Sequence, residues 1–455
     1  MTKPKKGDLI RLTVDSLAFG GKGVSKVNGF VVFVEHGYPG DEIDARIYKA
    51  RGNFAESRVE TLIKPSPHRI APACKHFGPC GGCKWQNLDY SIQKKYKADQ
   101  LKDALVHLGG IPEPPIEPII SAHKIYYYRN KMEFSFHAGL DGEILLGLHF
   151  AGRFKDVFQL QACHLQSELS NEIVEFVRDR AIELGLPPYH IVTHEGFLRF
   201  LVIREGKFTD QALVNIVTGD GDYDLKGLGE EIGKKFEKVV SVSHTVNSAK
   251  ANIAKGDKEK ILYGADHISE KLGNKEFKIS ASSFFQTNSY QVQRLYDLAV
   301  ELAEPEKTDR MIDLYTGTGT IAIYFSDLVS EVIGVETVTD SVMDAKINAR
   351  INSASNAEFL AGDVEEYMKK AVENDEKCDL LILDPPRAGC HPKTLKHLAA
   401  MKPRKIVYIS CNPATLARDL KSLLENGYEL NRAVPIDLFP HTFHMEAVCR
   451  LTYRE

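Results

Sequence analysis

In residues 284–455, runs of consecutive apolar residues alternate with segments of helical spacing. The runs "RMIDLY", "EVIGVE", "CDLLILD" and "KIVYIS" are apolar on successive positions rather than on every second one. Such strands are covered on both faces, and helical crossovers between consecutive strands both supply the cover and force the strands parallel. The pattern predicts a doubly wound, Rossmann-like α/β domain over 284–455. This unit occupies less than half of a chain of 455 residues, so further domains precede it.

The first 62 residues follow another rule. "LIRLTVDSL", "GGKGVSKVNGFVVFVEH", "DEIDARIYKA" and "FAESRVETLI" are β-rich stretches parted by glycine turns. About five strands in so short a span make a small OB-like closed barrel, a fold that often binds oligonucleotides on a basic face. Residues 1–70 hold twelve Lys/Arg against eight Asp/Glu, a net charge of +4, whereas the whole chain carries −4. A basic module on an acidic body points to an anionic partner, with a plainly solvated surface as the alternative. Lys22, Lys26, Arg46, Lys49 and Arg51 are the candidate phosphate contacts.

Residues 63–283 read as a mixed α+β domain. A proline-punctuated linker, "SPHRIAPAC", leads to a cysteine cluster. A helix over about 86–117, centred on "DYSIQKKYKADQLKDALVHL", follows and is expected to pack on the C-terminal domain; "GGIPEPPIEPII" breaks it. Strands "KMEFSFHA", "FLRFLVIR" and "QALVNIVTG" come next, with a helix near 168–185 between the first two. Cys74, Cys80 and Cys83 give C-x5-C-x2-C, and Cys163 lies 80 residues beyond Cys83. Four thiolates hold either zinc or a [4Fe–4S] cluster, and spacing alone does not choose. His76 is a rival ligand, and unrelated buried cysteines are the structural alternative. "YYYRNKMEF" interleaves aromatics with Arg129 and Lys131, as a nucleic-acid face or a half-buried strand would. No run of about 18 apolar residues occurs, and "MTKPKKGDLI" lacks an apolar signal core. With eight cysteines, the expected compartment is a reducing cytoplasm, with no membrane span and no evident obligate protein partner.

"MIDLYTGTGTIAIYF" reads as strand, glycine loop and helix. Asp313 opens the loop, Tyr315 lies in it, and Gly317 and Gly319 let the backbone turn sharply beside a ligand. D-x-x-x-G-x-G suits S-adenosylmethionine (SAM) better than a dinucleotide. Glu336 ends the next strand, placed for ribose hydroxyls, and Asp363 ends the one after, near an adenine edge. A solvated Glu336 and a helix-capping Asp363 are the bland alternatives. Cys411, in "ISCNP", stands where a buried strand runs out. It is a packing cysteine or a nucleophile, and free cysteine is often the former.

Four further motifs decide this. "SFFQTNS" at 283–289, "LILDPPRAG" at 381–389, "ISCNP" and "FPHTFHMEAVCRL" occur in this order. With them the chain closely resembles the SAM-dependent RNA 5-methyluridine methyltransferases, nearest to the 23S rRNA (uracil-5-)-methyltransferases. The resemblance spans essentially the whole chain: residues 1–62 are similar to the family's TRAM barrel, and "CKHFGPCGGC" to its iron–sulfur motif. It implies Cys411 as the nucleophile that adds to uracil C6 and Glu446 as the base that removes the C5 proton. It also implies Asp384 and Gln286 as contacts near cofactor and uracil, [4Fe–4S] on Cys74, Cys80, Cys83 and Cys163, and an RNA role for Arg129. "YTGTGT" departs from a loop that often carries cysteine or phenylalanine. His441 and His444, an H-x-x-H pair without an evident third ligand, are read as structural, and Cys378, Cys390 and Cys449 have no assigned role. The implied substrate is RNA, 23S rRNA first and tRNA second. An amino-group methyltransferase and an RNA-binding assembly factor are the competing readings.

Overall fold

The computed structural model describes residues 3–454. Met1, Thr2 and Glu455, which the leader reading and the outer domain ranges include, lie outside the described residues.

The N-terminal module has six strands: β1 (Leu9–Thr13), β2 (Ser16–Leu17), β3 (Gly23–Val27), β4 (Phe30–Glu35), β5 (Glu42–Ala50) and β6 (Phe54–Lys64). They form one sheet in the order β1-β5-β6-β4-β3-β2. Every second residue of β5 points inward, and Ile43, Ala45 and Ile47 bury against Val32, Val34 and Leu12. The strand beyond the expected five is β2, two residues long and too short to leave a periodic trace.

Helix α1 (Tyr90–His107) is shorter than the expected 86–117. The Asp89 side chain caps its start, accepting from the Ser91 N–H at 2.8 Å, and Trp85–Leu88 are spent in turns before it. At the other end Gly109 lies where a Cβ would meet the Leu105 carbonyl oxygen at 2.6 Å. As expected, α1 packs on the C-terminal domain: Leu101, Ala104 and Leu105 share a core with Leu381, Leu416 and Leu420.

The central domain is a seven-stranded sheet ordered β13-β12-β11-β10-β7-β8-β9. Its elements are β7 (Lys131–Ala138), β8 (Ile144–Phe150), β9 (Arg153–Gln159), α2 (Glu168–Glu183), β10 (Leu198–Gly206), β11 (Gln211–Thr218), α3 (Lys226–Lys235), β12 (Val239–Val246) and β13 (Lys258–Gly264). Ile173, Val177 and Ile232 of the two helices cover one face with Leu201, Val214 and Ile216 of the strands. A hairpin, β14 (Ile268–Leu272) and β15 (Lys275–Ile279), leads to the last domain.

There the chain runs α4 (Ser289–Ala303), β16 (Arg310–Leu314), α5 (Thr320–Phe325), β17 (Glu331–Glu336), α6 (Thr339–Ile351), β18 (Ala357–Ala361), α7 (Val364–Glu373), β19 (Leu380–Leu383), α8 (Pro392–Met401), β20 (Lys405–Ser410), α9 (Pro413–Glu425), β21 (Tyr428–Ile436) and β22 (Glu446–Tyr453). The sheet order is β18-β17-β16-β19-β20-β22-β21. The first five are parallel, as their apolar runs predict, and β22 pairs antiparallel with both β20 and β21. From β16 the chain builds outward to β18, then returns to place β19 on the other side. That reversal opens a crevice above the ends of β16 and β19, the usual ligand position in open α/β sheets.

Candidate active site

Strand register brings the expected nucleophile and base together. In the antiparallel pair of β20 and β22, Ile409 faces Val448 and Ser410 faces Ala447. One step further, Cys411 leaves the top of β20 at the level where Glu446 begins β22. The thiol then sits between two fixed elements. Asn412 caps α9, its side chain accepting from the Ala414 N–H at 3.1 Å, and Pro413 takes the first helical turn. The Asn412 amide also donates to the Arg387 carbonyl at 3.0 Å, tying the thiol loop to the loop that follows Asp384.

Both groups line a cleft of about 970 Å³ between the central and C-terminal domains, with Asp384, Arg387, Gln286 and His444. Glu446 is 4% exposed, and Cys411 is half-buried. Burial pushes the Glu446 carboxyl well above the usual carboxylate range and the Asp384 carboxyl up to about 7. A hydrogen bond from the Gln286 side chain partly offsets the latter. The Cys411 thiol rises to about 11, first through burial and then through the neighbouring Glu446 and Asp384. The Arg387 guanidinium opposes these shifts on both Cys411 and Glu446. Three acids in one corner of the cleft therefore resist ionising together, and each that does ionise is more basic than its solvated counterpart.

The glycine loop forms the adjoining wall. Tyr315 adopts a left-handed backbone, φ +66°, an unusual state for a residue with a Cβ. Gly317 and Gly319 follow at φ +56° and +78°. At Gly319 a Cβ would meet Phe359 and Ala345 within 2.9 Å, so α5 can start only beneath a bare glycine. Glu336 is fixed by backbone donors: Gly317 N–H at 3.1 Å on one oxygen and Val338 N–H at 2.9 Å on the other. Asp313 lies under the loop, takes a hydrogen bond from the Thr316 hydroxyl at 2.5 Å, and is pushed by burial to about 7. Tyr315, Gly317, Glu336, Asp384 and Gln286 line the cleft, whereas Asp313 and Gly319 shape it from behind. Asp363 is apart from the lining residues. It caps α7, accepting from the Glu366 N–H at 3.0 Å, which is the bland reading of that residue.

The expected RNA contacts divide. Arg129 lines the cleft, its Nε donating to the Lys131 carbonyl at 3.2 Å. Lys131 pairs with Glu133 at 2.7 Å. Lys22 is held on the barrel surface, donating to Glu56 and Tyr48, and Lys49 takes the same Glu56. Arg46 faces Glu60 at 3.4 Å. These carboxylates consume much of the positive charge counted in the sequence. Arg51 is exposed and makes no ion pair among the described residues.

The four expected metal ligands are not gathered into a coordination shell. Among the described residues no group of three or more His, Cys, Asp or Glu is arranged to hold a metal ion. Cys74, Cys80, Cys83 and Cys163 are free cysteines. Their sulfurs nonetheless lie near enough to influence one another's ionisation. Burial, then the neighbouring sulfurs, push Cys83 up to about 12, and burial likewise raises Cys80 and Cys163. A thiol so held keeps its proton and is not a metal ligand until it loses it. Two N–H donors, from Gly82 at 3.4 Å and Gln86 at 3.7 Å, face the sulfurs of Cys80 and Cys83.

Sequence reasoning missed three supports. Asn130 holds the "QTN" turn, donating from its amide to the Gln286 carbonyl and the Ser289 hydroxyl, both at 2.8 Å. Lys97 and Asp437 form a fully buried ion pair beneath the loop that ends in Glu446. Arg387 stands in the expected "DPPR" motif but was given no role. Lys97 did leave a signal: it falls on the stripe 97, 101, 104, 105 that is otherwise apolar, and a cation there demands a buried partner. His441 stacks on Tyr126 with ring centroids 4.4 Å apart, while His444 faces the cleft.

A glycine loop at a sheet switch point, an acidic residue ending the second strand, and a thiol–carboxylate pair on adjacent strand ends of one cleft wall define a SAM-dependent RNA methyltransferase. The family model for tRNA (uracil-5-)-methyltransferase matches residues 226–454, and the TRAM domain model matches residues 3–59. An uncharacterised RNA methyltransferase of Chlorobaculum tepidum is 38% identical, covering 98% of this chain and 96% of its own. One from Caldanaerobacter subterraneus is also 38% identical, over 97% and 98%. A crystal structure of Pyrococcus abyssi tRNA (uracil-54, C5)-methyltransferase with S-adenosyl-L-homocysteine matches with a TM-score of 0.78 and 31% identity, covering 97% of this chain and all of that one. The chain belongs to the uracil-5 RNA methyltransferase family and carries its TRAM domain.

Proposed function

We propose that this protein methylates C5 of a uridine in 23S rRNA through a covalent adduct between Cys411 and uracil C6. The observation that carries the reading is the register that sets Cys411 beside Glu446 in a buried corner of the cofactor cleft. Uracil C5 is a poor nucleophile until a thiolate adds to C6. The Cys411 sulfur forms that bond, and the electron pair it pushes into the ring makes C5 nucleophilic. SAM, when bound, supplies the electrophilic methyl group; Gly317, Glu336, Gln286 and Asp384 are the residues to hold it. Once C5 carries both methyl and hydrogen, the Glu446 carboxylate takes the C5 proton. The S–C6 bond then breaks, its electron pair leaving on sulfur, and the Cys411 thiolate is returned. Burial suits Glu446 to this task, because a desolvated carboxylate is a stronger base than a solvated one. Arg387 is placed to favour the anionic forms that the cycle passes through.

The reactive carbons of a paired base are out of reach, so the uridine is unpaired or flipped into the cleft. tRNA is the second reading. It is favoured by the full-length likeness to a Pyrococcus abyssi enzyme named for tRNA, so a barrel by itself does not assign the ribosomal branch. Transfer of labelled methyl from SAM to separated, unmodified 23S rRNA and tRNA decides between them: label in 23S rRNA supports the proposal, and label confined to tRNA moves the protein to the second reading.

We further propose that Cys74, Cys80, Cys83 and Cys163 hold a [4Fe–4S] cluster. Four cysteines, with N–H groups facing two of their sulfurs, offer the soft donors that such a centre takes. The uracil chemistry needs no electron, so the role is to fix the cysteine loop against the end of β8 and the turn after it, where Gly81 N–H donates to the His149 carbonyl and Ala151 N–H to the Pro79 carbonyl. Iron and sulfide analysis of anaerobically purified protein tests this.

A further inference from the structure

The cleft has a wall that the chemistry leaves unused. It is the face of the central sheet turned away from α2 and α3, and its centre is Asn215 on β11. Asn215 is 2% exposed. Its side-chain oxygen accepts from the Ser243 hydroxyl at 3.1 Å and the Thr245 hydroxyl at 3.0 Å, both on the neighbouring β12. With the oxygen taken up in this way, the NH₂ group makes no hydrogen bond among the described residues. A buried amide whose oxygen is satisfied twice and whose nitrogen is unpartnered at a cleft wall is a waiting donor.

The surroundings are built rather than loose. Arg199, 3% exposed, donates to the carbonyls of Asn247, Ala249 and Ala251 at 2.6–2.8 Å and shapes the loop after β12. Gly256 closes that loop so tightly that a Cβ would meet the Val246 carbonyl oxygen at 2.0 Å. The loop carries Lys255 to the cleft edge, and Arg129 lines the same cleft. The target uracil belongs to Cys411 and Glu446 on the C-terminal domain, whereas Asn215 stands on the other domain's sheet.

We infer that Asn215 is a specificity residue that donates a hydrogen bond to a ring carbonyl or ring nitrogen of a nucleobase beside the target uridine, with Arg129 and Lys255 toward its phosphates. This rests on the RNA-methylating reading and deepens it. A donor of this kind is fixed before the RNA arrives and is left unpaired by a base without an acceptor in that place, which is how buried polar groups discriminate.

The test is Asn215→Asp, which keeps the size and the acceptor for Ser243 and Thr245 but replaces the donor with an acceptor. Transcripts of 23S rRNA and of tRNA are the probes, and the one that wild type methylates is used. The expected result is a roughly ten- to hundredfold rise in KM for RNA with SAM affinity near wild type, and Asn215→Ala, which buries no new carboxyl, should raise KM likewise. Single-nucleotide replacement beside the target then reveals one position at which wild type discriminates and the variant does not. An unchanged KM and unchanged nucleotide preference overturn the assignment while leaving the methylation reading intact. A wild type that methylates neither RNA instead defeats that reading; filter binding of the same transcripts to wild type and Asn215→Asp then decides the Asn215 contact on its own, equal affinities overturning it.

Discussion

Lys97 Nζ and Asp437 Oδ1 lie 2.7 Å apart with neither side chain exposed, joining α1 to the loop that delivers Glu446. Lys97 also donates to the Phe439 carbonyl at 3.0 Å, and Gln93, one helical turn earlier, accepts from the His441 N–H at 2.8 Å. One face of α1 thus grips residues 437–441 and sets the start of β22. Lys97→Met strands a carboxylate in the interior, so stability should fall by about 3–5 kcal/mol. The double variant Lys97→Met, Asp437→Leu should recover most of that. Denaturant unfolding of the three proteins checks both statements, and kcat should fall in each because the loop loses its anchor.

Asp384 gives a pH prediction. Its folded pKa, about 7, lies above its ordinary value, so the folded protein binds the more protons as pH rises from about 4 to 7. Stability is therefore lost as pH rises through that window. Asp384→Asn removes the loss: its unfolding midpoint should exceed that of wild type at pH 7.5 and approach it at pH 4, the difference on the order of 3 kcal/mol. Methyl transfer should fall in the same variant, a stability–activity exchange common at active sites. Calorimetry across this range, with an activity assay beside it, is the check.

Gly319→Ala addresses the cofactor loop. The added methyl must fit against Phe359 and Ala345 at a φ that favours glycine. A loss of about 1–3 kcal/mol in stability is expected, with SAM affinity falling at least tenfold because the Gly317–Glu336 contact shifts. Isothermal titration with SAM measures the second effect.

The sequence displayed what is local and periodic. The parallel strands, the glycine loop and the Asn412–Pro413 cap behind Cys411 each follow from neighbouring residues alone. The meeting of Cys411 and Glu446 was legible only through family resemblance, because it depends on the antiparallel register of β20 and β22. Charge pairing across strands was not legible. Lys22 and Lys49, read as candidate phosphate contacts, both also pair with Glu56, which no linear count brings near. Asn215 was silent for the same reason: its two hydroxyl partners come from β12, in a register no spacing announces. Lys97 lay between these cases, visible as a cation on an apolar stripe but without a visible partner.

The cysteine loop yields a separable prediction. On the proposed cluster, wild type purified anaerobically should carry iron that Cys83→Ser lacks, while SAM binding stays within about threefold, since the glycine loop and the cysteines occupy different domains. Iron content and SAM titration on one preparation measure both.

The most direct test of the central claim is trapping of the enzyme on RNA carrying 5-fluorouridine in the presence of SAM. With fluorine at C5, Glu446 has no proton to remove, so the Cys411–C6 bond should persist. A denaturation-resistant protein–RNA complex, mapped by mass spectrometry to Cys411 and absent from Cys411→Ala, is the predicted result. Full methylation of ordinary RNA by Cys411→Ala, with no trapped complex from wild type, would contradict it.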